Sequence, residues 1–283
     1  MSAPREHTAP RRPPDPDLPF YCALGGLSAT YVVLILAVLA ALALFRPPDA
    51  PRDYLLWLML DVLRSPEIRY STGLSLVSCT VTTLVSLLVA VPTGYLLSRR
   101  RFPGRGLIDA VFDIPIVLPP LVIGLGLLIL FQTPAGRAFQ RVVPVTYEIP
   151  SVILAQFTVA CAFAVRTMQV TFSQINPRQE QVALTLGCSR AQAFFRVALP
   201  EARRGVLTAA TLAWARALGE FGPILVFSGA TRFRTEVLPT SVFLELSIGN
   251  IEAAVAVSLL MIVIALAVLL VARAFGLRGT GLI

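Results

Sequence analysis

The chain lacks lysine altogether, and all 24 of its basic residues are arginine. A phosphate-binding loop of the GxxxxGKS/T kind needs a lysine to reach the nucleotide phosphates, and a Schiff-base mechanism needs a lysine amine. Both are therefore excluded. The single histidine, His7, lies in a proline- and arginine-rich stretch near the N-terminus. Neither a histidine-ligated metal nor a Ser-His triad is expected inside the fold.

Cysteine and charge are also scarce. Cys22, Cys79, Cys161 and Cys188 stand far apart without a CxxC pair, so that buried free thiols are expected. Charged residues make up 14% of the chain, against about 25% in typical soluble domains. With 56% hydrophobic residues and a mean hydropathy of +0.76, the composition indicates an integral membrane protein.

Long apolar runs divide the chain. A membrane-spanning helix needs about 20 apolar residues. Six stretches approach this length: Leu24–Phe45, Leu74–Leu97, Ile114–Phe131, Val152–Thr171, Gly205–Phe227 and Ala253–Ala274. The third is the shortest and the most interrupted by proline, and the fifth carries charges. We therefore predict an all-α integral membrane protein with six transmembrane helices.

The arginines are distributed in relation to the membrane. With six spans both termini lie on one side, and the segments on that side carry 14 arginines against eight on the other. Because arginine is enriched in cytoplasmic loops, we expect both termini in the cytoplasm. The net charge of +8 is explained in this way, and no nucleic-acid partner is expected.

The runs also predict an organisation along the chain. Residues 1–20 are expected to form a disordered cytoplasmic tail, and residues 276–283 a second, short cytoplasmic tail. Residues 21–70 hold the first transmembrane helix, expected to be retained rather than cleaved as a signal peptide, and an external segment. In that segment Tyr54–Leu63 is too short to span and favours an interfacial helix. Residues 71–275 form the core domain with the other five helices.

The most informative feature is the polar segment 176–200, between the fourth and fifth spans. Asn176 is a good helix N-cap. Val182 and Leu186 then share one helix face at i, i+4, and Gly187 favours a left-handed stop. The pattern predicts a first short helix followed by a glycine turn.

A second short helix follows in the same segment. Ser189 can cap it, with Gln192 three residues on as in a capping box. Phe194 and Val197 give this helix an apolar side. Leu199-Pro200 is expected to end it, because proline disfavours helix at the preceding residue. Two capped helices between membrane spans are typical of a docking surface.

The fifth span carries two charges. Arg216 and Glu220 are four residues apart, so that they share a helix face and can pair. Gly219, Gly222 and Pro223 allow close helix approach and a break. Charges within a span rarely face lipid. They either line the wall or gate of a solute pathway, or form a self-neutralised pair that holds neighbouring helices together.

Three other features have two interpretations each. The prolines of Pro115–Pro120 cannot lie in continuous helix, and their freed carbonyls face protein or a water-filled path, or else the entry to the span is simply kinked. Arg166 pairs with another span or, as we prefer, snorkels to the cytoplasmic interface. Asp109 and Asp113 stand four apart, but no histidine, lysine or cysteine completes a catalytic site. They are expected to be ordinary helix-surface residues.

The polar segment resembles the EAA motif of permeases in ATP-binding-cassette importers. That motif places a short acidic-alanine helix, a glycine and a closing Leu-Pro before the penultimate span. The matching residues are Glu180, Ala183, Gly187, Leu199 and Pro200. The naming triplet reads Gln181-Val182-Ala183 here, so its glutamate is absent unless Glu180 substitutes for it.

The resemblance extends over about residues 72–275. The stretches that begin at Pro92, Phe102 and Pro115, and Arg216-Ala-Leu-Gly-Glu-Phe-Gly222, are similar to permeases for molybdate, tungstate and sulfate. It implies a multi-pass permease in a prokaryotic plasma membrane, with a second copy of itself, separate ATPase chains beneath and an extracytoplasmic solute-binding protein above. The permease itself would bind no cofactor and no metal and would not be an enzyme, because ATP is bound by the partner. Glu180, Gln181, Ala183, Gly187, Leu199 and Pro200 would couple to the ATPase, and Arg216, Gly219, Glu220 and Gly222 would lie at the pathway.

Two rival functions stay open. An ion-coupled secondary transporter or channel needs protonatable or ion-coordinating residues at mid-membrane, and only Glu220 qualifies, with Arg216 as its expected partner. A permease of the same superfamily for another solute, such as iron or thiamine, would carry similar stretches.

Overall fold

The computed structural model describes residues 17–45 and 54–277, and these are almost entirely helical. The helices are α1 (Leu18–Ala43), α2 (Tyr54–Arg64), α3 (Pro66–Arg99), α4 (Arg105–Val117), α5 (Pro120–Gln132), α6 (Pro134–Gln140), α7 (Ile149–Gln174), α8 (Pro177–Thr185), α9 (Arg190–Ala193), α10 (Leu199–Glu201), α11 (Arg203–Leu218), α12 (Gly222–Phe227), α13 (Leu238–Ser247) and α14 (Ile251–Leu277). A π-helical turn, Phe194–Ala198, joins α9 to α10. No strand occurs in these two ranges, in agreement with the predicted all-α fold.

The described residues fall into two compact units, α1 and the helices α2–α14. Helix α1 begins at Leu18, so residues 18–20 of the predicted disordered tail are helical. The rest of that tail, with His7, lies outside the described residues, as do the loop 46–53 and residues 278–283 of the predicted C-terminal tail. Helix α2 confirms the short helix predicted after the first span.

Helices α3 and α7 form the most extensive helix pair, and α11 packs against both. Small side chains such as Ala155 and Ala164 are fully buried on α7, and small residues let helix backbones approach closely. The buried Gln156 side chain accepts a hydrogen bond from the Thr82 hydroxyl at 3.1 Å and donates to the Cys79 sulfur at 3.7 Å. The pair is therefore both tightly packed and fixed in register by polar contacts.

The third predicted span is a bent helix pair. Helix α4 ends at Val117 and α5 begins at Pro120, with 112° between their axes. Pro119 and Pro120 cannot continue α4, because proline has no N–H and disfavours helix at the residue before it. Pro115, expected to lie outside continuous helix, is instead accommodated inside α4. A bend of this size is more than a kink. It favours the first of the two interpretations, in which the freed backbone carbonyls face protein or a water-filled path.

Four of the predicted spans are single helices. Within the described ranges α1, α3, α7 and α14 are long and apolar enough to cross a membrane, and the bent pair α4–α5 gives up to five. The fifth predicted span is divided, because α11 ends at Leu218 and α12 begins only at Gly222. The count of six continuous transmembrane helices is therefore not confirmed.

A buried carboxyl group lies at the end of the bundle opposite the polar segment. There the Leu238 N–H donates to the Ser75 hydroxyl oxygen at 2.9 Å, which holds the loop before α13 against α3. Glu236, in this loop, is fully buried, and neither carboxylate oxygen has a hydrogen-bond partner in the described part of the chain. Burial raises the pKa of the Glu236 carboxyl, and the nearby Ser241 hydroxyl and Arg232 lower it only in part. This position thus favours the neutral, protonated form over the charged form more strongly than water does.

This position predicts a pH dependence of stability. The pKa of Glu236 is raised above 4.5 in the folded state. In the pH window between the unfolded and the folded pKa, the folded protein therefore holds a proton that the unfolded chain releases. That contribution to the free energy of unfolding is complete below the unfolded pKa and is lost as the pH rises through the folded pKa. We expect the unfolding temperature in detergent micelles to fall across this window, and Glu236→Gln to remove that part of the slope.

Glu252→Gln is the matched control, because Glu252 is an exposed acid in the first turn of α14. It should leave the slope of unfolding temperature against pH as in the wild type. A wild-type slope in the Glu236→Gln variant would contradict the assignment.

Candidate functional site

The first short helix of the polar segment forms as predicted. The Asn176 side-chain oxygen accepts a hydrogen bond from the Arg178 N–H at 3.0 Å and caps α8. Gly187 has φ +89°, a left-handed conformation that glycine adopts without steric cost. The Cys188 N–H then donates to the Ala183 carbonyl at 3.0 Å, which closes the end of the helix.

The second short helix begins as predicted but does not end as predicted. The Ser189 hydroxyl accepts from the Gln192 N–H at 3.2 Å, and the Gln192 side chain accepts from the Ser189 N–H at 2.8 Å, a complete capping box. After α9 the chain widens into the π turn, in which the Leu199 N–H donates to the Phe194 carbonyl. Helix continues past Pro200, so the predicted stop there is wrong. Pro200 lies in the first turn of α10, a position that tolerates proline because its missing N–H is not required there.

Glu180 faces the end of α3. The Tyr95 hydroxyl donates to its Oε2 at 2.6 Å and the Arg99 Nε donates to its Oε1 at 2.9 Å, while Arg99 Nη2 donates to the Ile175 carbonyl at 2.9 Å. The Phe194 ring packs edge-on against Tyr95, with 4.7 Å between ring centroids. The side chains of Arg99 and Glu180 are only 12% and 11% exposed. This contact, which we call the Glu180 tether, fastens the polar segment to α3.

The other side of the polar segment is open. Val182, Leu186 and Phe195 are 56%, 79% and 64% exposed. Of the remaining residues predicted for coupling, Gln181, Gly187 and Pro200 are exposed, and Ala183 and Leu199 are half-buried. Apolar side chains gathered on an exposed surface indicate a binding partner.

The charged pair of the fifth predicted span forms. Arg216 Nη1 lies 2.6 Å from Glu220 Oε2, and Glu220 is almost completely buried. The Arg216 guanidinium also lies over the Phe163 ring of α7, 5.8 Å from its centroid. Gly219, exposed, ends α11, and a Cβ at Gly222 would lie 3.0 Å from the start of α5. The pairing and the break are confirmed, and the place of these residues in a pathway stays a prediction.

The sequence did not reveal the partners of Arg166. Its guanidinium donates to Asp109 and Asp113 on α4, at 2.6 Å to the Asp109 Oδ1, and to Gln169 at 2.6 Å. One of the two alternatives, pairing with another helix, is confirmed, and the preferred one, snorkelling to the cytoplasmic interface, stays a prediction. Two aspartates four residues apart were the available signal, but the sequence does not say which face of α4 meets α7.

The Glu180 tether generates a second prediction. Removing one partner of a nearly buried ion pair leaves the other charge uncompensated. We expect Glu180→Gln to raise the hydrogen-exchange rates of the α8 amides by about tenfold or more, which corresponds to about 1.4 kcal/mol of local stability. Tyr95→Phe, which removes a single hydrogen bond, should have a smaller effect.

Glu201→Gln is the control for this measurement, because Glu201 is an exposed acid one residue beyond the polar segment. It should leave the α8 amides as protected as in the wild type. Equal exchange rates in Glu180→Gln and Glu201→Gln would show that the tether does not hold the segment.

Known proteins are similar to this chain in sequence and in architecture. The family described as binding-protein-dependent transport system inner membrane component matches residues 70–278. A probable molybdenum ABC transporter permease protein of Haloferax volcanii is 36% identical over 219 residues, which is 77% of this chain and 79% of the relative. The sulfate transport system permease protein of Salmonella typhimurium is 31% identical over 245 residues, 85% and 87% of the two chains.

Solved structures show the same fold at low sequence identity. A chain of a bacterial alginate ABC transporter, solved in complex with an alginate-bound periplasmic protein, superposes with a TM-score of 0.73 at 16% identity, covering 94% of this chain and 96% of that one. A chain of the inward-facing MetNI methionine ABC transporter gives a TM-score of 0.61 at 18% identity, covering 81% and 99%. The family match covers most of α3 and all of α4–α14, including the polar segment and the charged pair. The chain belongs to the family of binding-protein-dependent transport system inner membrane components, and it is a multi-pass permease subunit of an ATP-binding-cassette importer.

Proposed function

We propose that this permease forms the pathway for an oxyanion, with molybdate or tungstate first and sulfate next. The ATP that drives transport is bound and hydrolysed by separate ATPase chains, so the permease itself is not an enzyme and holds no cofactor. A solute-binding protein delivers the anion from outside, both termini lie in the cytoplasm, and two copies of the chain enclose the pathway.

The shape of the polar segment supports the part of this proposal that concerns the ATPase. One side is fastened to α3 through the Glu180 tether, and the other presents Val182, Leu186 and Phe195 to solvent. A rigid, capped, apolar surface at the cytoplasmic side suits a groove on an ATPase. Gln181, exposed beside it, is the residue we place at that contact. Glu180 acts from within, because its carboxylate is already engaged by Tyr95 and Arg99.

Motion of the ATPase reaches the pathway through α10 and α11. The Ala202 N–H donates to the Ala198 carbonyl at 3.0 Å and the Val206 N–H donates to the Ala202 carbonyl at 2.9 Å, so helical hydrogen bonding bridges the junctions. A Cβ at Gly205 would lie 2.1 Å from the Thr171 side chain, so α11 lies directly against α7. A displacement of the polar segment therefore moves α11 as a body against the bundle.

The charged pair on α11 is the part of the pathway that we assign. The Arg216 side chain is 28% exposed, while its partner Glu220 is buried. A fixed arginine suits a passing oxyanion, because guanidinium groups hydrogen-bond such anions well. Gly219 and Gly222 flank the break between α11 and α12, where the helix can change direction. The relatives named for molybdenum, molybdate/tungstate and sulfate transport support the same class of solute.

Transport by the reconstituted complex tests the solute. The permease, its ATPase and the binding protein are placed in proteoliposomes, and uptake of molybdate, tungstate and sulfate is measured with ATP inside or outside. We expect uptake to require both ATP and the ATPase. We also expect the binding protein to prefer these anions. Tight binding of iron, thiamine, a sugar or an amino acid instead would overturn the oxyanion assignment. Uptake that persists without the ATPase would favour the ion-coupled transporter or channel.

A proline substitution tests the coupling. Gly187 has φ +89°, whereas proline requires φ near about −65°, so Gly187→Pro deforms the turn between the two short helices. We expect the variant to insert and to assemble with the ATPase, but to transport at least about tenfold less anion per ATP hydrolysed. Normal uptake per ATP would contradict the coupling role.

Gly249→Pro is the matched control. Gly249 also has a left-handed φ of +80°, and its N–H, like that of Gly187, donates to a carbonyl three residues earlier. It lies in the turn between α13 and α14, away from the polar segment. Transport per ATP should be reduced much less in this variant.

A further inference from the structure

We propose that the groove between α11 and α14 at the cytoplasmic side is a binding site for an anionic phospholipid. The groove has a volume of about 440 Å³, and its lining includes Arg204 and Arg273 together with aliphatic side chains such as Leu207 and Leu269. No acidic residue lines it. The placement of this groove in the inner leaflet rests on the proposed function, in which both termini lie in the cytoplasm.

The two arginines lie at one end of the groove. Helices α11 and α14 run in opposite directions in the proposed topology, Arg204 is the second residue of α11, and Arg273 lies near the end of the apolar stretch Ile251–Ala274. Both guanidinium groups therefore stand where the helices leave the bilayer core. The rest of the lining lies at hydrocarbon depth.

The walls below the arginines offer almost no free polar groups. The Thr208 hydroxyl donates to the Arg204 carbonyl at 3.0 Å, and the Thr211 hydroxyl donates to the Leu207 carbonyl at 2.8 Å. Both hydroxyls are thus directed to their own helix. A cationic end above apolar walls matches a phosphodiester headgroup above an acyl chain, since guanidinium binds phosphate well. Basic pockets between helices on the cytoplasmic side bind such headgroups.

Charge complementarity favours a lipid over a second copy of the chain. In a two-fold symmetric contact the same patch meets itself, so this face would bring Arg204 and Arg273 towards their own copies. The outer face of α14 is also apolar and open, with Leu266 and Leu270 50% and 65% exposed. The groove is continuous with a surface that the bilayer covers, and an acyl chain enters it from there.

Native mass spectrometry of the detergent-solubilised permease–ATPase complex tests the proposal. Dioleoyl phosphatidylglycerol is titrated against dioleoyl phosphatidylcholine for the wild type, Arg273→Gln and Arg273→Lys. We expect the wild type to prefer phosphatidylglycerol and Arg273→Gln to bind it about fivefold more weakly, since an arginine near an anionic headgroup contributes roughly that factor. Arg273→Lys, which keeps the charge, should retain most of the affinity and show that the fold is intact.

Arg101→Gln is the matched control, because it removes one exposed cytoplasmic arginine outside the groove. It should bind phosphatidylglycerol as the wild type does, and an equal loss in both variants would overturn the site. Displacement of the lipid by millimolar inorganic phosphate would show a free-anion site instead. A changed permease stoichiometry in Arg273→Gln without a change in lipid binding would show a protein interface. None of these outcomes alters the ATP-dependent uptake that tests the proposed function.

Discussion

The packing of α3 against α7 is the interaction on which the rest of the structure depends. Its centre combines small, fully buried side chains such as Ala155 and Ala164 with the buried polar contacts of Gln156. At one end the Tyr70 hydroxyl, on α3, donates to the Arg234 carbonyl, and at the other Arg99 holds Glu180. The polar segment, α4 and α11 are each attached to this pair, so the pair acts as a fixed frame for them.

The attachments of α4 and α11 to this frame differ in kind. The bent helix α4 is held to α7 by the ion pairs of Arg166 with Asp109 and Asp113. Helix α11 is held by close packing at Gly205 instead. Ion pairs and hydrogen bonds require one geometry, whereas small packed surfaces can slide over short distances. Of these two helices, α11, which follows the polar segment, is the one whose contact better allows the movement that we propose.

Local features of the fold could be predicted from the sequence, and distant contacts could not. The caps at Asn176 and Ser189 and the turn at Gly187 are each decided within a few residues, and all three formed. The Arg216–Glu220 pair is likewise a local i, i+4 contact. The partners of Glu180 lie 81 and 85 residues away, and those of Arg166 on α4 lie 53 and 57 residues away. Helical periodicity does not say which faces meet. The error at Pro200 has the same origin, since a π turn responds to packing and not to local propensity.

The π turn that begins at Phe194 sets an angle between two surfaces. A π turn holds one residue more than an α turn, and one residue corresponds to about 100° of rotation about a helix axis. Phe194 packs inward against Tyr95 while its neighbour Phe195 is 64% exposed. The surplus residue therefore fixes the phase between the exposed face of the polar segment and the buried face of α11. A relative with one residue fewer at this point would direct its exposed face to a different side of the same bundle, with no other change in the fold.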